Sequence, residues 1–317
     1  MKMRSPAFIR PHLASLVFVA WLSSSLLAQN SPNPDAQIKN KQLQQQALPG
    51  LREVDAEFDG DDDEFGKILT LQRSKSWYVT PFASARGYWT SNALLANKSE
   101  KGDTIFTETQ GLNAGYRFSS DWQIFAGYNY QLTRYDENPA LDTDANSTEF
   151  GTTYKLPWEF QIGTGVRGLW LTAPHQGVEV YRENNPYATI SQSHNYLDNR
   201  LTWFYGYEYD HKFTNPVGFE RDEHTVYMGT GYSWMSNLLS QLVIRQNYQF
   251  YDFRPPALPV NGRQEWVSSV ILQTVWQPLP WLQVSGFSLA SYDNSVNSTR
   301  DYKVANAGGE IKFFWKF

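Results

Sequence analysis

Gly309-Glu310-Ile311-Lys312-Phe313-Phe314-Trp315-Lys316-Phe317 closes the chain, and its reading decides the fold. Gly309, Ile311, Phe313, Trp315 and Phe317 fall on every second position, with Glu310, Lys312 and Lys316 between them. Side chains of an extended strand alternate between faces, so this stretch has one apolar and one largely charged face. A single alternating strand is a weak signal, but the chain before it repeats the same logic.

Working backward, the alternation predicts strands at about 76–90, 104–118, 122–136, 147–156, 159–172, 187–197, 200–213, 224–235, 238–254, 263–276, 281–293 and 301–317. In the third, Trp122, Ile124, Ala126, Tyr128, Tyr130 and Leu132 oppose Gln123, Asn129, Gln131 and Thr133. In the seventh, Leu201, Trp203, Tyr205, Tyr207 and Tyr209 oppose Thr202, Gly206, Glu208 and Asp210. Short connections such as Ser119-Ser120-Asp121, Asp198-Asn199 and Ser236-Asn237 alternate with long polar ones at 91–103, 137–146, 173–186, 214–223, 255–262 and 294–300. Short turns at one end and long loops at the other mark an up-and-down transmembrane barrel. The sixth strand is polar on both faces, and ten strands is the competing count. The expected fold is all-β, a transmembrane antiparallel up-and-down β-barrel of about twelve strands.

Tryptophan gives an independent check. Trp77, Trp122, Trp158, Trp234, Trp276, Trp281 and Trp315 fall at the turn ends, Trp89, Trp170 and Trp266 near the loop ends, and Trp203 further inside. Amphipathic rings favour the membrane–water interface, so two girdles are expected.

The N-terminus carries Lys2, Arg4 and Arg10 before an apolar run from Leu16 to Leu27, and Ala28 offers a small residue for cleavage. Residues 1–28 therefore read as a secretory signal peptide. Residues 29–75 read as a flexible acidic extension, rich in Asn, Gln and Pro at first, then acidic over 53–64. The barrel occupies 76–317. The chain has 27 Lys+Arg against 32 Asp+Glu, and loss of the signal removes Lys2, Arg4 and Arg10 but no acidic residue, so nucleic-acid binding is not expected. Cysteine is absent, which excludes disulfides, thiolate zinc sites and thiol catalysis. Mean hydropathy is −0.52 although aromatics reach 16%. A barrel with a polar lumen accounts for both values, because only one face of each strand meets lipid.

From about Asp63 onward the chain resembles the β-barrel porin group of bacterial outer-membrane proteins. The resemblance rests on Asp62-Asp63-Glu64-Phe65-Gly66, on Gly115-Tyr116-Arg117-Phe118 before its turn, and on Ala305-Asn306-Ala307-Gly308-Gly309 before the final Phe317. It implies export to the outer membrane, contact with outer-membrane lipid, and recognition of the strand ending at Phe317 by the barrel assembly machinery. It implies transport only loosely, because one fold hosts many functions.

The strand register turns Arg86, Arg117, Lys155, Arg167, Arg245, Lys312 and Lys316 toward the lumen, with Glu149, Glu208, Asp210 and Glu310. These residues suit either a narrow aqueous pore with mild anion preference or a paired network that fills and stiffens the barrel. In the acidic block, Asp59, Asp61 and Asp63 open like a calcium loop, but Glu64 and Thr70 stand where that loop needs Gly and Glu. The block reads instead as a solvated tail, or as a plug drawn into a basic lumen. Ser193-His194-Asn195 and Asp210-His211 carry residue types found in outer-membrane hydrolases, but in the wrong order or on opposite strand faces. The histidines show no close ligand spacing, so no catalytic, metal or cofactor residue is assigned. The expectation is porin-like passage of small hydrophilic solutes. A closed structural or interaction barrel, with 173–186 and 255–262 as contact loops, is the alternative, and a hydrolase the third.

Overall fold

The computed structural model describes residues 37, 39–41, 43, 76–98, 100–175, 177–251, 263–296 and 300–317. The signal segment, the acidic block at 53–64 and the loop at 255–262 lie outside the described residues. Twelve strands form: β1 (Trp77–Thr90), β2 (Asp103–Arg117), β3 (Trp122–Tyr135), β4 (Thr143–Lys155), β5 (Phe160–Ala173), β6 (Val178–Tyr196), β7 (Leu201–Asn215), β8 (Arg221–Met235), β9 (Leu238–Tyr251), β10 (Gln264–Leu279), β11 (Leu282–Ser295) and β12 (Tyr302–Phe314). Each pairs antiparallel with its neighbours in sequence, and β12 returns to β1, so the sheet is a closed barrel.

Closure leaves no strand edge, and every ladder bond stays within the wall. Alternation then sorts the side chains. On β9 and β10, Leu242, Ile244, Trp266, Val270 and Leu272 are exposed on the outer wall, while Val243, Asn247, Val267 and Ile271 are buried inside. Trp77, Trp122, Trp234, Trp276, Trp281 and Trp315 are exposed at the turn end, and Trp89 and Trp266 at the loop end. Trp203, read as further inside, stands two positions from the start of β7 and so joins the turn-end girdle.

The sixth strand is the main departure from the sequence reading. It runs over 19 residues and takes in most of the stretch expected to be a loop at 173–186. Its outward residues there, Arg182 and Asn184, are exposed, and Arg182 pairs with Glu179 at 2.9 Å. Polar groups on both faces suit a strand that continues beyond the apolar band, which is why alternation in hydrophobicity missed it. Pro186 explains the rest: it has no N–H, and the β6–β7 register skips from Asn184 to Tyr187. Pairing to β5 continues through Pro186 opposite Val166, so twelve strands close the barrel rather than ten.

At the other end, Trp315, Lys316 and Phe317 are not ladder residues of β12. They stay tied to β1 all the same, through Trp315 N–H to Pro81 O and Phe317 N–H to Val79 O, both at 3.1 Å. Ile311, Phe313, Trp315 and Phe317 are exposed on the outer wall, as the opening alternation requires.

The β1–β12 seam also carries a side-chain bond inside the barrel. Arg86 stands opposite Glu310 in the register and meets it at 2.8 Å, with both side chains about 7% exposed. Removing one partner strands a buried charge, which costs about 3–5 kcal/mol, whereas an apolar pair of similar volume is close to neutral. Arg86→Ala should therefore lower unfolding stability by about that amount. Arg86→Met with Glu310→Leu should recover most of the loss in urea titrations of the detergent-folded barrel.

Candidate functional site

The candidate site is the barrel lumen, where charged side chains project from nearly every strand. Its hub is Arg167 on β5. Its Nε donates to Glu149 Oε1 at 3.0 Å, and its Nη1 to Glu208 Oε1 at 2.9 Å and Asp210 Oδ1 at 3.2 Å. The guanidinium lies 3.8 Å from the centre of the Tyr187 ring. Asn185 donates to the same Asp210 oxygen at 2.8 Å. One planar cation thus holds carboxylates from β4 and β7, a fork geometry that lysine could not supply. Arg245 on β9 sits within electrostatic reach of Glu208. Its Nε has no hydrogen-bond partner among the described residues.

The eleven residues assigned to the lumen from sequence separate into three groups. Arg86 and Glu310 close the seam. Arg167, Glu149, Glu208, Asp210 and Arg245 form the hub. Arg117, Lys155, Lys312 and Lys316 lie toward the turn end, Lys155 and Lys316 exposed there and Lys312 over the Phe82 ring at 4.9 Å.

A fourth group escaped the sequence reading. Arg221, fully buried, donates to Glu223 at 2.6 Å, and Lys212 reaches the same carboxylate at 3.1 Å. Tyr181 donates to Glu183 at 2.6 Å and Asn247 to Glu223 at 3.3 Å. Further round the wall, Glu265 accepts from Arg263 at 2.7 Å and from Tyr251 at 3.2 Å. Asp293 lies beside it with a fully buried side chain. Carboxylates thus concentrate in the loop half of the lumen, where sequence had suggested only a basic tilt. Glu183, Lys212, Arg221 and Glu223 fall in or beside segments read as loops. Glu265 and Asp293 sit in β10 and β11, where both faces carry apolar and small residues, so alternation leaves their direction undecided.

Packing differs between the halves. In the loop half, Tyr88, Ile105, Tyr135, Val243, Ile271, Phe287, Leu289, Tyr302 and Val304 form a buried apolar cluster inside the wall. Toward the turn half, inward aromatic rings lie flat on inward glycines of the adjacent strand. A Cβ on Gly229 would strike the Phe204 ring and stand 2.7 Å from Leu242 O, and one on Gly206 would strike the Tyr227 ring. Glycine at these positions lets the rings lie against the wall rather than across the lumen.

The described histidines do not assemble into a centre. Asp210 faces inward to Arg167, whereas His211 bonds Asp222 at 2.8 Å on the other side of the strand. Tyr209 donates to the same Asp222 oxygen at 2.6 Å, and Tyr207 and His224 meet at 2.7 Å. His194 lies 3.5 Å from Glu159 at the turn end, and His175 lies 3.0 Å from Asp142 at the loop end. Among the described residues no group of three His, Cys, Asp or Glu is placed to hold a metal ion.

No protein-family model and no curated protein matches the chain. Several solved barrels are similar in shape. An outer-membrane channel from Pseudomonas putida F1 is 7% identical with a TM-score of 0.48, over 79% of this chain and 98% of that one. LpxR from Salmonella typhimurium is 9% identical with a TM-score of 0.43, over 75% of this chain and 100% of that one. The NanC porin is 11% identical with a TM-score of 0.42, over 73% and 98% respectively.

The glycine–aromatic contact yields a direct test. Gly229→Ala should destabilise the folded barrel by about 1–3 kcal/mol through overpacking against Phe204. Adding Phe204→Leu should relieve the ring's share and leave the share due to Leu242 O, so the urea midpoint of the double variant should fall between those of Gly229→Ala and the parent chain.

Proposed function

We propose that the chain is an outer-membrane channel for small hydrophilic solutes, with its path through the charged lumen. The observation that carries this reading is the inversion of the barrel's two faces. The outer wall is apolar with tryptophan at both ends, while the inner wall holds Arg167, Arg245, Glu149, Glu208 and Asp210. A soluble barrel buries its apolar face and wets the other, the reverse of this arrangement. Opposed charges on the inner wall offer hydrated solutes alternative partners along a path, the means by which pores select.

One observation favours a second reading, a closed barrel with a structural or interaction role. The loop half of the lumen is filled by the apolar cluster and the paired charges around Glu223 and Glu265. Conductance separates the two. Refolded protein in a planar bilayer should show discrete current steps, and silence both of the full chain and of a chain lacking residues 29–75, with intact β circular dichroism, would select the closed barrel. If solutes pass the hub, Arg167→Gln leaves Glu149, Glu208 and Asp210 without their cation. The reversal potential in a salt gradient should then move toward cation selectivity, with a severalfold rise in the permeability ratio.

Biogenesis belongs to the same reading. Phe317, 62% exposed on the outer wall, presents the terminal aromatic that the assembly machinery of the outer membrane would engage. Phe317→Ala should reduce the assembled, heat-modifiable fraction in cells while leaving refolding in detergent nearly unchanged.

A further inference from the structure

Five residues of the N-terminal extension are described, and all five are helical, buried and inside the barrel: Gln37, Lys39, Asn40, Lys41 and Leu43. Composition alone gives this stretch no reason to order. Its contacts supply one.

Lys39 Nζ donates to Glu265 Oε1 at 3.2 Å and to Asp293 Oδ2 at 3.0 Å, and both carboxylate side chains are 0% exposed. The ammonium also lies 5.0 Å from the centre of the Tyr302 ring. Asn40 Nδ2 donates to Ala93 O at 2.8 Å, and Gln37 Nε2 to Ala140 O at 3.1 Å, both acceptors in connections at the loop end. Lys41 donates to Gln131 on β3, and Leu43 packs in the apolar cluster with Tyr88, Ile105 and Phe287. In the order of strands around the barrel, β3 stands nearly opposite β10. A segment that touches Gln131 on one and Glu265 on the other therefore crosses the lumen.

We propose that the described residues Gln37, Lys39, Asn40, Lys41 and Leu43 act as a tethered plug, latched across the loop half of the lumen by the Lys39 ammonium on Glu265 and Asp293. The polarity is the opposite of an acidic tail drawn into a basic pore: here the segment brings the cations and the wall supplies the carboxylates. The hold is mainly polar. Four of the five described residues are attached through side-chain hydrogen bonds or ion pairs, which water or solute can replace, and only Leu43 is held by apolar packing. The plug is also separate from the wall, because its described residues are held through side chains and not through the strand ladders. Residues 44–75 link it to β1, and a chain of that length can reach roughly 100 Å when extended. That exceeds the ~25 Å height of an outer-membrane apolar band, so chain length alone does not confine the plug to the lumen.

The gating role rests on the channel reading, and the test distinguishes the two. The chain has no cysteine, so Asn40→Cys with Ala93→Cys places one unambiguous thiol pair in the full-length protein. The disulfide should form in the folded barrel, shown by its altered migration and by protection of the thiols from maleimide. Oxidised protein in planar bilayers should stay in a low-conductance state. Reduction, deletion of 37–43 or Lys39→Gln should each raise the open fraction at least tenfold. Failure of the disulfide to form in folded protein overturns the docked plug. A deletion that conducts like the full-length chain overturns the gate and leaves the channel standing. If the disulfide forms and the deletion is also silent, the channel reading falls and the gate falls with it. A Lys39→Gln variant indistinguishable from wild type, beside an open deletion, overturns Lys39 as the latch.

Discussion

The pairing of β1 with β12 is the constraint on which everything else depends. Hydrocarbon offers a backbone N–H or C=O no alternative partner, so a spanning sheet must satisfy every ladder bond within itself. The first and last strands of the chain meet for this purpose from Phe82–Phe314 to Thr90–Asn306, with Arg86 and Glu310 bonded across the join. Beyond the regular ladder, the N–H groups of Trp315 and Phe317 still find Pro81 and Val79. Once that seam exists, the remaining strands have only one place to go, and period-two alternation divides their side chains between lipid and lumen.

A lumen made in this way must hold charges away from bulk water, and the barrel does so by pairing them. Arg167 satisfies three carboxylates from two strands, and Arg221 with Lys212 encloses Glu223. Such groups contribute little net stability when compared with an apolar filling of the same volume, yet each becomes costly when its partner is lost. In the proposed channel, their value would lie in what they present to a solute. The turn half adds a second device, since glycine under Phe204 and Tyr227 keeps bulky rings against the wall. The loop half is built in the opposite sense, with apolar packing around Leu43 and an ammonium crossing to the far wall. The two halves of one lumen therefore differ in kind, rings laid over glycine toward the turns and apolar packing with paired charges toward the loops.

Much of the fold is legible in the sequence because a transmembrane strand writes its environment into consecutive residues. Trp122 to Leu132 or Leu201 to Tyr209 needs no partner to show which side meets lipid. Strand β6 was obscured for the same reason: its outer half leaves the apolar band, so Arg182 and Asn184 no longer alternate in hydrophobicity with their neighbours, and Pro186 reads as a break. The candidate site was half legible. Arg167, Glu149, Glu208 and Asp210 lie on strands with clean alternation, so their common direction could be read. That one guanidinium joins all three carboxylates could not, because the pairing depends on register between β4, β5, β6 and β7.

The sequence by itself determined an alternating barrel-forming chain with aromatic belts and a charged interior, since those properties follow from each residue's position relative to its immediate neighbours; the choice of twelve strands over ten waited on the pairing of β6. Only the tertiary structure decided where charges meet. Glu265 and Asp293 on the wall, and Lys39 more than two hundred residues earlier, carry no local pattern that links them. Their bond exists because closure of the barrel brings opposite walls within reach of one short segment, and long-range electrostatic pairing leaves no period in a sequence.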